Sequence, residues 1–172
     1  MATITYTSRE EIEVHRFSAL ATIGIPLLAI FFQVYLSSRF SFLKLFDIPL
    51  IVTVFFAVSR RNQLAGMLTG CSIGLVQDAL THLPIGIYGI SKTIAGYAAS
   101  SIGVKVDVDN PGSRFLMMFF FTLLHDGIYF IVSRHLLGIP ADWRMLHELS
   151  SALANALIAV PLFALMDRAK QR

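Results

Sequence analysis

The chain has 172 residues, of which 55% are hydrophobic and 15% are charged, with a mean hydropathy of +0.67 and a formal net charge of +3. A soluble domain of this size could hardly cover so much apolar surface, so the composition predicts a membrane protein without a separate soluble domain. The small net charge argues against nucleic acid as a partner, and the single cysteine, Cys71, excludes an internal disulfide.

The chain opens with a polar stretch. Ser8 and Glu11 have the spacing of a helix capping box, which predicts a short amphipathic helix leading into the first span. We therefore expect residues 1–16 to form a cytoplasmic amphipathic segment and residues 17–167 to form a single integral membrane bundle. Residues 168–172 are expected to form a basic cytoplasmic tail.

Six apolar runs follow one another, separated by short loops rich in helix breakers. They cover residues 17–36, 48–58, 64–80, 83–104, 115–137 and 146–166. The second run is short, because its eleven apolar residues rise only about 16 Å as a helix. It either spans by adding residues 42–46 or only dips into the membrane. The predicted fold is all-α: a polytopic bundle of six transmembrane helices, or of five if the second run does not cross.

Basic residues and the only tryptophan indicate the orientation. With either number of spans, nine Lys and Arg residues fall on the inner side and four on the outer side. Because inner loops carry the excess of basic residues, we expect the C-terminus in the cytoplasm. Trp143 falls in the last outer loop, where an interfacial anchor is expected.

Glycines form a stripe along the third and fourth runs. Gly66, Gly70 and Gly74 recur every four residues, and this spacing keeps them on one face of a helix. Small residues there allow another backbone to approach closely, so the two helices are expected to pack against each other. The glycines expected in this close packing are Gly66, Gly70, Gly74, Gly86 and Gly96.

Ionisable and amide side chains also occur inside the apolar runs. Such groups cost a few kcal/mol each on insertion scales, at about 2.5 to 3.5 for Asp and Lys, so they normally face the bundle interior and find partners. We predict a structural polar network of Asp78, Lys92, Asp126 and Asn155. Within it, the long stem of Lys92 is expected to reach Asp126 or Asp78.

The same polar residues also fit functional roles in metal binding, proton transfer or hydrolysis. Asp78, His125 and Asp126 have the side chains of metal ligands or of a proton relay, and an intramembrane hydrolase could use the last two. Adjacent helix positions, however, point about 100° apart, and the sequence carries no familiar catalytic or nucleotide-binding motif. We therefore expect no catalytic residue, no cofactor and no metal site.

The segment FDIPLIVTVFFAVSRRNQLAGMLTGCSIGLVQDALTHLPIGIYGISKTIAGY resembles the central region of the bacterial rod shape-determining protein MreD family. The residues that carry this resemblance are Asp47, Pro49, Arg60, Gly66, Gly70, Gly74, Asp78, Gly86 and Tyr97. Further along, Asp126 with Tyr129 and Asn155 with Pro161 resemble the family's last two spans. Lys92 departs from the pattern, since an apolar or small residue is expected there.

The resemblance implies a multi-pass inner-membrane subunit of the elongasome, the complex that organises lateral peptidoglycan synthesis and cell shape. Its partners would be MreC and, through the complex, RodA, a class B penicillin-binding protein, the actin-like MreB and RodZ. The resemblance also implies a six-helix fold similar to the substrate-binding subunits of energy-coupling-factor transporters.

Two functions remain open on the residues themselves. One is a non-catalytic scaffold whose lipid-facing and loop surfaces hold a partner's transmembrane helix. The alternative is a small-molecule-binding subunit of a membrane transporter. Mutually bonded polar side chains would favour the scaffold, whereas a cavity with unpaired polar groups would favour the transporter subunit.

Overall fold

The computed structural model describes residues 16–82, 84–104, 106, 108, 110–140, 142–168 and 170–171. In this part of the chain, six α-helices follow the order of the apolar runs: α1 Ala19–Arg39, α2 Ile48–Arg60, α3 Gln63–Thr81, α4 Ile87–Gly103, α5 Pro111–Ile131 and α6 Met145–Asp167. A 3-10 helix, Ser41–Leu45, precedes α2, and a π-helical turn, Val132–Leu136, extends α5. The all-α bundle predicted from the sequence is confirmed.

The segments directly before α1 and directly after α6 lie next to each other. Arg16–Phe17 (β1) pairs antiparallel with Lys170–Gln171 (β2), just before α1 and just after α6. Most of the predicted amphipathic helix lies outside the described residues, as do the first fifteen residues and residues 169 and 172. Its expected run into the first span is corrected, because Arg16–Phe17 is extended and α1 starts anew after Ser18.

Polar side chains begin most of the helices. Ser18 accepts a hydrogen bond from the backbone N–H of Ala21, Asp47 from that of Leu50, and Asn62 from that of Ala65. Each cap satisfies one N–H that the first helical turn leaves without an internal partner. The loops can therefore be short without leaving the helix ends unsatisfied.

Helix α2 is the core of the bundle. Every residue from Pro49 to Ser59 is buried, which suits a helix that is apolar on all sides. Its surroundings include Phe163 of α6, whose ring meets that of Phe55 edge to face at 5.3 Å. The second apolar run can therefore be shorter than a lipid-facing span, because other helices rather than lipid surround it.

Four helical segments in the described part of the chain are long and apolar enough to cross a membrane: Leu20–Arg39, Phe42–Arg60, Pro111–Leu136 and Met145–Asp167. The second of these joins the 3-10 helix to α2. Large apolar side chains also cover the outside of the bundle, as on α1, where Leu20 is 86% and Phe31 63% exposed. A surface of this kind is typical of contact with lipid, and the chain is accordingly a membrane protein.

Helices α3 and α4 are less apolar because glycine and polar residues occupy their shared face. A Cβ atom on Gly70 would meet the carbonyl of Lys92, and one on Gly74 would meet the carbonyl of Tyr88. Gly66 and Gly96 face each other's backbones in the same way. These four glycines therefore bring α3 and α4 into direct backbone contact, as the sequence predicts.

Gly86 differs from the other predicted packing glycines. Among the described residues, nothing lies within 4 Å of the position of a Cβ on Gly86, so it is not a close-packing residue. Its φ of +115° lies in the left-handed region, which favours glycine. Gly86 is therefore needed for the turn into α4, and its assignment to the packing face is corrected.

Candidate binding cavity

A cavity of about 690 Å³ opens at the end of the bundle that holds the α1–α2, α3–α4 and α5–α6 connections. We call this the cavity end; the opposite end, where Arg60 and Arg61 lie, is the basic end. The cavity lies beyond the N-terminus of α2, because α2 begins only at Ile48 while its neighbours continue further. Its size falls within the usual range of small-molecule sites.

A buried ion pair lies at the cavity wall, which it reaches through Asp47. Asp47 accepts a hydrogen bond from Lys92 Nζ at 2.5 Å through Oδ2, while its Oδ1 caps α2. The Lys92 side chain is fully buried and that of Asp47 is 16% exposed. The pair ties the N-terminus of α2 to the middle of α4.

His125 of α5 joins this pair to Asp126. Its Nε2 lies 3.4 Å from Lys92 Nζ, and its Nδ1 lies 3.0 Å from Asp126 Oδ1. These partners fit a neutral imidazole with the proton on Nδ1, which donates to Asp126 while Nε2 accepts from Lys92. Although adjacent helix positions point apart, His125 and Asp126 thus bond to each other. The ring of Tyr88 stacks on that of His125 at 5.8 Å.

Asn155 fixes the junction before α2. Its Oδ1 accepts from the backbone N–H of Asp47 at 2.8 Å, and its Nδ2 donates to the carbonyl of Leu45 at 3.2 Å. Asn155 is fully buried, and these bonds satisfy two backbone groups where the chain passes from the 3-10 helix to α2. Three predicted network residues, Lys92, Asp126 and Asn155, are therefore brought together around Asp47.

Asp78 lies apart from this network. Its carboxylate accepts three backbone N–H groups at the start of α4, those of Gly86, Tyr88 and Gly89, at 2.8 to 3.1 Å. A carboxylate at a helix N-terminus is favoured both by these hydrogen bonds and by the helix dipole. Asp78 therefore closes the α3–α4 hairpin.

The predicted bridge from Lys92 to Asp126 or Asp78 is wrong, because Lys92 pairs with Asp47. The reason is the depth at which α2 begins: its capping carboxylate reaches the level of Lys92 in the bundle. Asp47 could have been suspected from its place directly before Ile48 and Pro49, the pattern of a capped helix start. Its depth could not be read from the sequence.

Trp143 lies at the cavity. It is 38% exposed, and its ring meets that of Phe130 edge to face at 5.6 Å. Together with Tyr88 and Tyr129, these rings give the cavity an aromatic wall. The interfacial role predicted for Trp143 stays a prediction.

Two buried acceptors at the cavity have no hydrogen-bond donor among the described residues: Gln77 Oε1 and Asp126 Oδ2. Gln77 is only 3% exposed. The carboxyl of Glu148, on α6, lies next to that of Asp126. The cavity therefore combines a mutually bonded pair with acceptors that lack donors.

The described residues hold no group of three or more His, Cys, Asp or Glu side chains arranged to bind a metal ion. The lining of the cavity offers an excess of negative charge, polar hydroxyl, imidazole and amide groups, and aromatic faces. Comparisons with protein-family models, with curated proteins and with solved structures find no match for this chain.

Proposed function

We propose that this chain is a non-catalytic scaffold subunit of the bacterial cell-elongation complex in the inner membrane. In this proposal it binds MreC and, through the complex, works with RodA, a class B penicillin-binding protein, MreB and RodZ. It would help to organise lateral peptidoglycan synthesis, with its C-terminus in the cytoplasm. A fold like that of the energy-coupling-factor substrate-binding subunits, with six crossings, belongs to the same proposal.

The observation that carries the proposal is where the MreD-like residues lie. Asp47 caps α2 and holds Lys92, Gly70 and Gly74 meet the backbone of α4, and Asp78 caps α4. These residues determine how α2, α3 and α4 pack. A likeness that arose only from apolar composition would not be expected to fall on such positions, so a shared fold is the simpler account.

The surfaces of the described part also suit a scaffold. Its interior polar groups largely satisfy one another, and its outward helix faces are rich in large apolar side chains. A partner's transmembrane helix can bind such faces by close packing. The protein would then act by presenting a rigid shape within the membrane.

The proposal is tested by depleting the protein in its native rod-shaped host and complementing with variants. Depletion is expected to turn rods into spheres. Wild-type protein should restore rods, and so should the cavity variant Asp126→Asn, because a scaffold does not use a ligand. Depletion that leaves cell shape unchanged would contradict the proposal.

The cavity favours a second candidate, a small-molecule-binding subunit of a membrane transporter. Its volume and its two acceptors without donors are features of a binding site. In the same experiment, this candidate predicts normal rods after depletion together with a growth defect on a limiting nutrient. Asp126→Asn should then fail to restore growth.

A further inference from the structure

The charge of the cavity wall is negative. Four carboxyl groups line the cavity, those of Asp47, Asp126, Asp142 and Glu148, against one lysine, Lys44. With the histidines neutral, and with the buried Lys92 that bonds to Asp47 counted as well, the cavity and its wall carry a formal charge of −2. Lys92 is already bonded to Asp47 and Lys44 is exposed at the rim, so the negative charge that remains is that of the α5 and α6 side.

Two acceptor atoms of lining residues have no hydrogen-bond donor among the described residues: Asp126 Oδ2 on α5 and Gln77 Oε1 on α3. Gln77 is only 3% exposed. A buried polar group without a partner destabilises the protein, and more so when it is charged. The carboxyl of Glu148 lies within hydrogen-bonding reach of that of Asp126, and the two repel each other when both are ionised. A bound group that brings positive charge would offset this repulsion.

Aromatic rings supply the rest of the wall. Tyr88 already faces an ammonium group, with Lys92 Nζ 5.1 Å from its ring centre. Tyr129 packs on Tyr88 at 5.1 Å, and Phe130 with Trp143 continues the wall towards the rim. Aromatic faces beside carboxylates are a common environment for ammonium ligands.

We propose that this cavity binds a small organic amine in its protonated form, with an ammonium group beside the carboxyl groups of Asp126 and Glu148. The inference names the ligand class for the binding candidate and rests on the cavity alone. It does not depend on the scaffold role. A protein that holds MreC could bind an amine, and one that does not hold MreC could do so too.

The first test compares two molecules of the same shape on the purified full chain in a neutral detergent. The probe is 1,4-diaminobutane, a dication, and its uncharged counterpart is 1,4-butanediol. Isothermal titration calorimetry should show saturable binding of the diamine and at least tenfold weaker binding of the diol. Equal binding of the two, or no saturable binding of the diamine, would overturn the proposal.

The second test uses two charge changes of opposite sign at the same cavity. Asp126→Asn should weaken diamine binding about tenfold, because it removes one of the charges that pair with the ammonium group. Lys44→Gln should strengthen it, because the substitution removes positive charge from an exposed rim position. Affinities that both substitutions leave unchanged would show that the diamine binds elsewhere and would overturn the proposed site.

Thermal unfolding of each variant checks its folding before binding is measured. If Asp126→Asn does not fold, the comparison of diamine with diol and the Lys44→Gln variant still decide the proposal. Failure of amine binding leaves the cell-shape result unaffected, so the amine proposal and the scaffold proposal can fail separately.

Discussion

Single polar residues inside this bundle have two different tasks. Asp78, Asn155 and the Oδ1 atom of Asp47 bind backbone N–H groups at the starts of helices. Lys92, His125 and Asp126 instead bond mainly to other side chains across α2, α4 and α5. The sequence indicates that each of these residues needs a partner, because of the cost of burial in a membrane. It does not indicate which partner, since that depends on the depth of each helix end.

Replacing Lys92 with Met is expected to destabilise the fold. The substitution leaves Asp47 without its cation, and breaking a buried pair in this way costs up to about 3 to 5 kcal/mol, less here because Asp47 is partly exposed to the cavity. The measurement is thermal unfolding in detergent, with the exposed Lys44→Met as a control that should change little. The double variant Asp47→Asn with Lys92→Met should recover part of the loss, because Asn still caps a helix. A Lys92→Met protein as stable as wild type would contradict the pairing.

Asp78 is expected to show a graded response. Asp78→Ala leaves three buried or half-buried N–H groups of α4 without their acceptor, at about 1 to 3 kcal/mol for each fully buried group. Asp78→Asn keeps one acceptor oxygen and should lose less. Chemical or thermal unfolding of the two variants gives their order of stability. Equal stability of Asp78→Ala, Asp78→Asn and the wild type would rule out the capping role.

At the scale of elements, the six helices could be predicted from the apolar runs and the breakers between them. The glycine repeat likewise predicts the contact of α3 with α4. The central position of α2 could not be predicted, because a fully apolar run of eleven residues suits lipid as well as a protein interior. The role of Gly86 could not be predicted either. A glycine in a turn can be needed for a positive φ or for close packing against another backbone, and the sequence does not distinguish the two.

The α3–α4 contact predicts a sharp contrast among glycine substitutions. Gly70→Ala and Gly74→Ala should each destabilise the protein by more than about 2 kcal/mol, because the new methyl group meets a backbone carbonyl that cannot turn away. Gly24→Ala in α1 and Gly127→Ala in α5 are matched controls, since nothing among the described residues lies within 4 Å of either Cβ position. These controls should be neutral or up to about 1 kcal/mol more stable, because alanine favours helix.

Unfolding temperatures of the four alanine variants, measured in one detergent, provide the comparison. If Gly70→Ala and Gly74→Ala behave like Gly24→Ala, then α3 and α4 do not touch along their glycines. The whole arrangement around Lys92 would then need revision, because Lys92 lies on the same face of α4 as Gly96.

At the scale of the whole molecule, the two ends of the bundle differ. The cavity end holds Gln77, Asp126 and Glu148, whereas the basic end holds Arg60 and Arg61. Orientation by basic residues was predicted from the sequence. The cavity was not, because it arises from the late start of α2, a property of how all the helices are placed together.

The orientation can be measured with single cysteines in a Cys71→Ser background. Ser38→Cys lies exposed at the cavity end, and Gln63→Cys lies exposed at the basic end. If basic residues face the cytoplasm, a membrane-impermeant maleimide should label Ser38→Cys in intact spheroplasts and Gln63→Cys only after permeabilisation. The reverse pattern would place the cavity in the cytoplasm and contradict the proposed topology.

Membership of a cell-elongation complex, as proposed for this bundle, is measured most directly by affinity purification of the tagged protein from its native membrane in a mild detergent. Mass spectrometry of the co-purified proteins should identify MreC, together with the elongation synthases. The unstable Gly70→Ala variant should recover much less MreC than the Gly24→Ala control. Recovery of paired ATPases without any wall-synthesis protein would contradict the scaffold account and support the transporter candidate.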